Sequence, residues 1–341
     1  MTSVRFYGKG AGMVSIKEVA DKAGVAISTV SKVLNNYPYV SEETKKKVRA
    51  AIHELNYVPN TIAAALSSKQ TGRAAILLSL NTQTQAIDEI TMQYLSGVLN
   101  QALALNIEII TIFLSMISHM TPEEITRYLQ SQGITGLIIC GISKDDRYLH
   151  QLIESQVFRC VVVDAPITNE NTSYVWIDNR RAQYEVAKKT ILENTCKRVL
   201  YIAGKKNGYV TNERLAGMRQ LADELDLKLL VRDGGFSELK ARKVTFRYAG
   251  NKDAVVCASD LMAIGAMNAL TEMDIFRPVC GFDGITLMGY VGKQMNTVRQ
   301  NFYNIGVNAV TELKRLFDGE SGRDIVLPFE LVKLYYRDII C

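Results

Sequence analysis

The clearest chemical pattern in this chain lies in the segment Ile27 to Leu34, which reads ISTVSKVL. At helical spacing Val30, Val33 and Leu34 share one face, and the opposite face carries small hydroxyls and a lysine. Such groups near a helix N-terminus can bind phosphate oxygens and the base edges in a DNA major groove. The segment therefore predicts a DNA-reading helix, and the alternative is the solvated basic face of an ordinary helical subdomain.

The flanking segments predict the elements that would position this helix. Ser15 and Glu18 have the S-x-x-E spacing of a capping box, so a first helix should start at Ser15. Gly24 should break it and permit a tight turn. A third helix should begin near Ser41. Its basic residues are Lys45, Lys46, Lys47 and Arg49. We predict a helix-turn-helix domain over residues 13–58.

Positive charge is concentrated in the same part of the chain. The whole chain has a net charge of +5, and residues 13–73 hold nine basic and five acidic side chains, a net +4. Arg5 and Lys9 add two more, so residues 74–341 contribute about −1. Because DNA phosphates attract lysine and arginine, this distribution favours DNA reading over a merely solvated face.

The order of these features resembles a known family. The strings IKEVADKAGVAISTVSKVLNN, VSEETKKKV and LNYVPN resemble the N-terminal signature of the LacI/GalR family of bacterial transcription regulators. The resemblance implies that the second helix reads the major groove, with Ser31 and Tyr57 on phosphates. Ile27 stands where many members have a polar residue, so it suits a thymine methyl. The implied DNA-binding residues are Ser15, Ile27, Ser28, Thr29, Ser31, Lys32, Asn35, Tyr57, Asn60, Ala63 and Leu66.

Residues 59–72 resemble the hinge helix and linker of that family. Asn60 can cap the helix, Ala63 is small enough for a narrowed minor groove, and Leu66 matches the leucine wedge that kinks the duplex. From the residues alone, a linker helix with one buried leucine is the better interpretation, and the resemblance reverses that preference. Since so short a helix is unstable by itself, we expect it to order when two copies pack on DNA.

Beyond Arg73, apolar segments alternate with helix-length ones, which predicts parallel sheets covered by helices on both faces. The expected strands are residues 74–80, 107–114, 136–140, 159–164, 198–203, 227–233, 253–258 and 278–283. Two such series predict an α/β core of two lobes with a ligand cleft at the carboxyl ends of the strands. The predicted first lobe is residues 73–176 and 300–322, and the second is 177–299 and 323–341.

Polar residues at the expected strand ends could bind a ligand there. Asp164 and Asp283 each end a strand, and Arg214 lies in the helix after another. A carboxylate can accept two sugar hydroxyls, and an arginine can donate to two more or to a phosphate. Phe236 could stack on a pyranose, although phenylalanine is more often a core residue. We interpret Asp260 as a helix cap.

The strings ERLAGM, ASDLMAIGAMNAL, GFDG and NTVRQ resemble core signatures of the same family, in the same order. The resemblance implies a core like that of periplasmic sugar-binding proteins. The ligand residues that it implies are Asp164, Arg214, Phe236, Ser259 or Asp260, Asp283 and Gln300. The segment NTQTQAIDE, the short connection FRPVC and Gly284 depart from the family pattern. They leave the effector open between a sugar and a sugar phosphate. The alternatives are a nucleobase, a ligand that acts as co-repressor, and control by a protein partner.

The sequence contains no motif that is typical of catalysis or metal binding. His53, His119 and His150 are scattered, and the chain has no G-x-S-x-G, H-E-x-x-H, P-loop or metal-ligand spacing. We therefore expect no enzyme activity, metal or cofactor. No apolar run reaches the ~18 residues of a membrane span. Residues 1–12 are expected to be a disordered upstream segment without a signal peptide, with Met13 as an alternative start.

The six cysteines show no C-x-x-C spacing, and most lie in apolar runs. Buried, reduced thiols are expected in a cytoplasmic protein. The chain ends in KLYYRDIIC without a heptad tail for tetramerisation. A homodimer on a pseudo-palindromic operator is therefore expected.

Overall fold

The structure is a computed structural model, and it describes residues 14–34, 37, 39–55, 57, 72–79, 89–290 and 294–334. The chain forms two compact units, residues 1–70 and 71–341. The predicted upstream segment and the predicted hinge helix lie outside the described residues.

The first unit contains three helices, α1 (Ile16–Ala23), α2 (Ile27–Leu34) and α3 (Glu42–Glu54). Their apolar faces meet in one small core. The buried residues of that core are Val19, Ala20, Val30, Val33, Val48 and Ala51. The bounds of α2 agree with the prediction, because the spacing of Val30 and Val33 already defines its inner face.

The second unit alternates strands and helices. Its strands are β1 (Arg73–Leu78), β2 (Glu108–Phe113), β3 (Ile134–Cys140), β4 (Arg159–Val163), β5 (Thr172–Ile177), β6 (Arg198–Ala203), β7 (Lys228–Asp233), β8 (Ala254–Cys257), β9 (Val279–Cys280), β10 (Asn296–Arg299), β11 (Asp324–Leu327) and β12 (Glu330–Lys333). Its helices are α4 (Glu89–Ala104), α5 (Leu114–Ile117), α6 (Pro122–Ser131), α7 (Arg147–Glu154), α8 (Asn179–Glu193), α9 (Tyr209–Glu224), α10 (Glu238–Tyr248), α11 (Asp260–Glu272) and α12 (Phe302–Phe317). Short 3-10 helices cover Ala249–Asn251 and Thr286–Tyr290.

The strands form two sheets, one in each lobe. The first has the order β11-β5-β4-β3-β1-β2, and the second has the order β12-β10-β9-β8-β6-β7. The pairs of the first sheet are parallel, whereas β12 joins the second sheet antiparallel to β10. Side chains on both faces of the first sheet are buried in separate clusters. This two-sided burial explains why its strands read as continuous apolar runs.

Part of the predicted strand pattern is wrong. The strands β5, β10, β11 and β12 were not expected, and the strand expected at 278–283 is confined to Val279–Cys280. β10, β11 and β12 have only four residues each, and their pairing partners are distant in sequence. β11 pairs with β5 in the first sheet, so the chain returns to the second lobe after Leu327, not at 322–323 as predicted.

Candidate DNA interface and ligand cleft

The start of α1 is held by the capping box that the sequence predicts. The Ser15 hydroxyl accepts the Glu18 backbone N–H at 3.3 Å, and the Glu18 carboxylate accepts the Ser15 N–H at 2.6 Å and its hydroxyl at 2.8 Å. These bonds, led by the backbone one, lower the pKa of Glu18. Gly24 ends α1 with φ +64°, a left-handed conformation that glycine adopts readily. Cap and turn together fix how the chain enters α2.

The outer face of α2 presents the residues that the sequence predicts to read bases. Ser28 and Lys32 are exposed, Thr29 is half-buried, and Ile27 is 46% exposed. Val30 on the opposite face is fully buried, so these side chains cannot turn inward without opening the core. Ser31 is half-buried on the same helix.

Basic side chains of the first unit fall into two groups. Two lysines of α3 pair with carboxylates on their own helix. These pairs are Lys45–Glu42 at 2.7 Å and Lys47–Glu43 at 2.8 Å. Within the described residues, Lys32, Lys46 and Arg49 are exposed and form no ion pair. These three cations have charge available for phosphates.

The remaining predicted DNA contacts are mostly outside the described residues. Asn35, Asn60, Ala63 and Leu66 are among these, so the minor-groove wedge stays a prediction. Tyr57 is described, and its ring packs against the small helical core while its N–H donates to the Ile52 carbonyl at 3.0 Å.

Arg214 is the centre of the predicted ligand cleft. It lies on α9 and is only 4% exposed. Its Nε donates to Asn179 Oδ1 at 2.8 Å, and its Nη1 donates to the Ala258 carbonyl at 2.6 Å. Its guanidinium lies over the Phe282 ring, 3.6 Å from the centroid. The arginine is therefore held in one orientation by contacts from three segments of the chain.

Asp283, which the sequence predicts from a strand end, and Gln300, which the family resemblance implies, both lie beside Arg214. Asp283 Oδ1 accepts from Arg214 Nη1 at 3.4 Å and from Gln300 Nε2 at 3.1 Å. Burial raises the pKa of Asp283, and the nearby guanidinium opposes that rise. Its φ of 122° is a strained conformation for a non-glycine residue, which is common where a side chain must be aimed at a ligand.

Asp164 approaches from the first lobe. Its Oδ2 accepts from the Tyr94 hydroxyl at 3.4 Å, and its backbone is left-handed with φ 62°. Burial raises the pKa of Asp164, and the charge of Arg214 on the second lobe lowers it. The two predicted residues are thus close enough to interact electrostatically across the lobes. The fold brings Asp164, Arg214, Asp283 and Gln300 into one site.

The prediction that Asp260 caps its helix is wrong, because the cap is the preceding residue, Ser259. Ser259 is the N-cap of α11, and its side chain accepts the Met262 N–H. Asp260 is fully buried inside the first turn, and both of its carboxylate oxygens accept hydrogen bonds. Oδ2 accepts the N–H groups of Gly284 and Ile285 at 2.7 and 3.0 Å, and Oδ1 accepts the Thr297 hydroxyl at 2.6 Å. These bonds allow Asp260 to position the loop after Asp283, and ligand binding by Ser259 or Asp260 stays a prediction.

Phe236 lies in the loop after β7 with φ 60°. The tip of its ring packs against Gly204, where an added Cβ would lie only 2.0 Å from the Cζ atom of the ring. Any larger residue at 204 would displace the ring. The structure therefore explains the glycine after β6, while the stacking of Phe236 on a sugar stays a prediction.

Three residues of the cleft were not predicted. Asn179, which orients Arg214, is the first residue of α8, just beyond the carboxyl end of β5, and that position after a strand is the signal that could have identified it. Phe282 lies inside the string GFDG, next to the predicted aspartate. Tyr94 lies inside α4, and nothing in its local sequence distinguishes it from an ordinary core tyrosine.

Two sets of bonds join the lobes directly. Glu89, at the start of α4, accepts the Thr286 N–H at 2.9 Å and its hydroxyl at 2.7 Å. In the second set, the Lys144 N–H donates to the Asn207 carbonyl at 3.0 Å, and Ser143 forms an antiparallel bridge with Gly208. All these residues follow the carboxyl ends of strands. We call the two sets together the interlobe clasp.

Other site types receive no support in the described part of the chain. Among those residues, no group of His, Cys, Asp or Glu side chains is arranged to hold a metal ion. No helix there is both long and apolar enough to cross a membrane. The described cysteines, Cys140, Cys160, Cys196, Cys257 and Cys280, are free and buried, and burial raises the pKa of each thiol.

Comparison with known sequences agrees with this division. The model of the lacI family of bacterial regulatory proteins matches residues 15–60, and that of a periplasmic binding protein-like domain matches residues 188–337. The HTH-type transcriptional regulator RegA of Clostridium saccharobutylicum is 31% identical over 338 residues, which cover 94% of this chain and 98% of RegA. The ribose operon repressor of Halalkalibacterium halodurans is 29% identical and covers 86% of this chain, with 87% of its own length matched.

Solved structures show the same architecture. The lac repressor dimer bound to operator and the anti-inducer ONPF aligns with a TM-score of 0.76 at 22% identity, covering 94% of this chain and 98% of that one. A complex of the transcriptional regulator CelR with cellobiose aligns with a TM-score of 0.69 at 26% identity, covering 94% and 99% of the two chains. The predicted fold, a helix-turn-helix domain followed by a two-lobed α/β core, is confirmed.

Proposed function

This chain belongs to the LacI family of bacterial regulatory proteins, and we propose that it is a dimeric, cytoplasmic repressor whose operator binding is switched by a sugar in the interlobe cleft. The outer face of α2 is the observation that best supports DNA binding. Ile27, Ser28 and Lys32 are exposed there over a closed core, and Lys46 and Arg49 of α3 are exposed and form no ion pair among the described residues. A helix of this kind can enter a major groove with its N-terminal side chains on base edges.

The chemistry of the cleft and the names of relatives both favour a sugar as the ligand. Asp164, Arg214, Asp283 and Gln300 converge from the two lobes, and their carboxylate, guanidinium and amide groups suit ligand hydroxyls. The names of relatives refer to a ribose operon, and a solved relative holds cellobiose. None of these residues forms a nucleophile–base pair, so the proposal is a binding protein, not an enzyme.

Lobe closure connects the two sites in this proposal. A ligand held by both lobes binds the closed arrangement more tightly than the open one, and it shifts the population by that difference in affinity. The interlobe clasp is part of the closed arrangement. We propose that closure moves the first lobes of the dimer, unpairs the hinge helices and weakens operator binding, so the ligand acts as an inducer.

Selection of DNA by the full-length protein from a random pool tests the DNA-binding part. We expect a pseudo-palindromic site whose affinity falls steeply with salt. If no sequence is enriched, the proposal is contradicted.

Whether the sugar weakens or strengthens operator binding is tested by measuring the affinity for the selected site with and without the sugar. Tighter operator binding in the presence of the sugar would instead identify a co-repressor.

The wedge is tested by Leu66→Ala. If Leu66 opens a central base step, the variant should lose affinity for the selected operator and retain its weaker affinity for random DNA. Equal losses on both DNAs would remove the wedge from the proposal.

A further inference from the structure

We infer that the second lobe holds a second ligand site, separate from the cleft, and that its ligand is a free α-amino acid. The site is a groove of about 560 Å³ at the amino ends of β9 and β10, whereas the cleft residues Asp283 and Gln300 follow their carboxyl ends. That volume is typical of small-molecule sites. We call it the distal groove, and its lining includes Thr190, Glu193, Phe276, Arg277, Asn296 and Lys333. The inference goes beyond the proposed function and does not depend on the sugar.

Asn296 brings a buried acceptor without a donor to the distal groove. The residue lines the groove, yet it is only 4% exposed. Its Nδ2 donates to the Thr190 hydroxyl at 2.9 Å and to Glu193 Oε2 at 3.2 Å. Within the described residues its Oδ1 is buried and has no hydrogen-bond partner. A buried acceptor is costly to leave unpaired, so a ligand N–H group that donates to this oxygen gains affinity.

The carboxyl end of α8 supplies negative charge for an ammonium group. Glu193 is the last residue of α8, where the helix carbonyls already carry partial negative charge that disfavours a carboxylate. The hydrogen bond from Asn296, followed by that from Lys333, lowers the pKa of Glu193, so its carboxylate is ionised at neutral pH. Both bonds are made to Oε2, and a ligand ammonium can approach Oε1. An ammonium there would relieve the repulsion between the carboxylate and the helix end.

Arg277, in the loop before β9, supplies positive charge for a carboxylate. Its Nε donates to the Lys252 carbonyl and its Nη1 donates to the Phe276 carbonyl at 2.7 Å, so the guanidinium is held by backbone groups. No carboxylate pairs with it in the part of the chain that the structure describes. Lys333 is paired with Glu193 at 3.2 Å, so the charge of Arg277 is the one in the groove that lacks a counter-ion. A ligand carboxylate would supply that counter-ion.

Apolar side chains complete the lining and narrow the ligand class. Met267 lies in the lining, and Phe276 is 71% exposed beside Arg277. Such a ring gains by covering an apolar side chain of a ligand. A free amino acid combines the ammonium, the carboxylate and the side chain that these groups suit. A neutral sugar lacks both charges, a polyamine lacks the carboxylate, and a hydroxy acid lacks the ammonium.

The experiment is a titration of the full-length protein with the L-amino acids, by thermal shift and calorimetry. We expect at least one of them to bind in the micromolar to millimolar range. Its α-amide, which lacks the carboxylate, and its α-hydroxy acid, which lacks the ammonium, should each bind at least about tenfold more weakly. If no amino acid binds, the groove holds only water and the inference is wrong. A hydroxy acid that binds as well as its amino acid would also overturn it.

Two conservative variants test the two charged groups separately. Arg277→Gln should weaken binding of the amino acid about tenfold and leave binding of its amide unchanged, because the amide has no carboxylate for the guanidinium. Glu193→Gln should bring the amino acid and its hydroxy acid to similar affinities. The control for the first variant is Arg219→Gln, at an exposed position of α9. The control for the second is Glu154→Gln, because Glu154 is likewise the exposed last residue of a helix, α7.

The variants also locate the binding. An amino acid that still binds to both Arg277→Gln and Glu193→Gln, with normal melting, lies outside the distal groove and overturns the inference. Equal losses for the amino acid and its amide in Arg277→Gln would remove the guanidinium from the site.

The inference and the proposed function fail separately, because neither variant changes the reading face or the cleft. A protein that selects an operator and binds no amino acid keeps the repressor proposal and loses the distal groove. A protein that binds an amino acid as described and selects no DNA sequence loses the repressor proposal and keeps the distal groove.

Discussion

The DNA-reading face and the ligand cleft use positive charge in opposite ways. Lys32, Lys46 and Arg49 are exposed and form no ion pair among the described residues, so their charge is available to a partner but screened by salt. Arg214 is 4% exposed and already bonded to Asn179, Ala258 and Asp283. A screened, exposed cation tolerates change at small cost to folding. A buried one is tied to its partners, so a change there affects stability and binding together.

The largest effect that we predict comes from Arg214→Ala. The change leaves Asp283 buried without its cation, and breaking a buried pair costs about 3–5 kcal/mol. Urea denaturation of the full chain measures the loss in the transition of the second unit. Arg219→Ala, on the exposed side of the same helix, should change stability by less than about 0.5 kcal/mol. Similar small losses in both variants would mean that Arg214 can be replaced by solvent.

A smaller effect is expected at the reading face, from Lys32→Gln. If Lys32 reads a base, affinity for the selected operator should fall by about 1–3 kcal/mol, with a smaller change on random DNA and no change in melting. Fluorescence anisotropy on both DNAs measures this. Lys47→Gln is the control, because Lys47 is paired with Glu43. Equal loss on both DNAs, with a shallower salt dependence, would place Lys32 on a phosphate instead.

The next effect tests whether the two lobes are coupled through the interlobe clasp. Glu89→Gln weakens the acceptor of the Thr286 N–H and hydroxyl, so affinity for the bound sugar should fall by about 0.5–1.5 kcal/mol. Calorimetry measures the change. Glu108→Gln is the control, because Glu108 pairs with Arg73 inside the first lobe only. If the two variants behave alike, the Glu89 contact does not contribute to closure.

The smallest predicted effect is a change in how stability depends on pH in the variant Asp260→Asn. Burial and the nearby Asp283 raise the pKa of Asp260, so the folded chain keeps a proton that the unfolded chain releases near pH 4. Asp260 therefore contributes stability that is present below about pH 4 and lost as the pH rises towards neutrality. The asparagine can accept the N–H groups of Gly284 and Ile285 and donate to Thr297. We expect the stability of the Asp260→Asn variant to fall less between pH 4 and 7 than that of the wild type. Denaturation at a series of pH values measures both. Parallel pH curves for the two proteins would contradict this.

Local patterns predicted the first unit well. The Ser15–Glu18 capping box, the left-handed Gly24 and the bounds of α2 depend on residues within one or two helical turns. They can be read without knowing what packs against them. The same holds for the long apolar strands, since burial on both sheet faces leaves a continuous apolar run.

Short edge strands, and hydrogen bonds between residues distant in sequence, could not be predicted from local patterns. β10, β11 and β12 depend on partners distant in sequence, and the return of the chain to the first sheet at β11 follows from its pairing with β5. Asp260 resembles a helix cap in sequence, yet its oxygens are taken by Gly284, Ile285 and Thr297. Only the folded chain brings those groups within hydrogen-bonding distance.

The sequence by itself determined the family, the helix-turn-helix unit, the two series of strands and most of the residues that converge in the cleft. The helices and strands could be predicted because periodicity, caps and strand ends are local properties of the chain, whereas the family and the full ligand set came from the resemblance of its signature strings. The tertiary structure decided which groups Arg214 donates to, and that Asp283 accepts from both Arg214 and Gln300. Hydrogen bonds saturate, so the chemistry that a site still offers depends on which of its groups the fold has already paired.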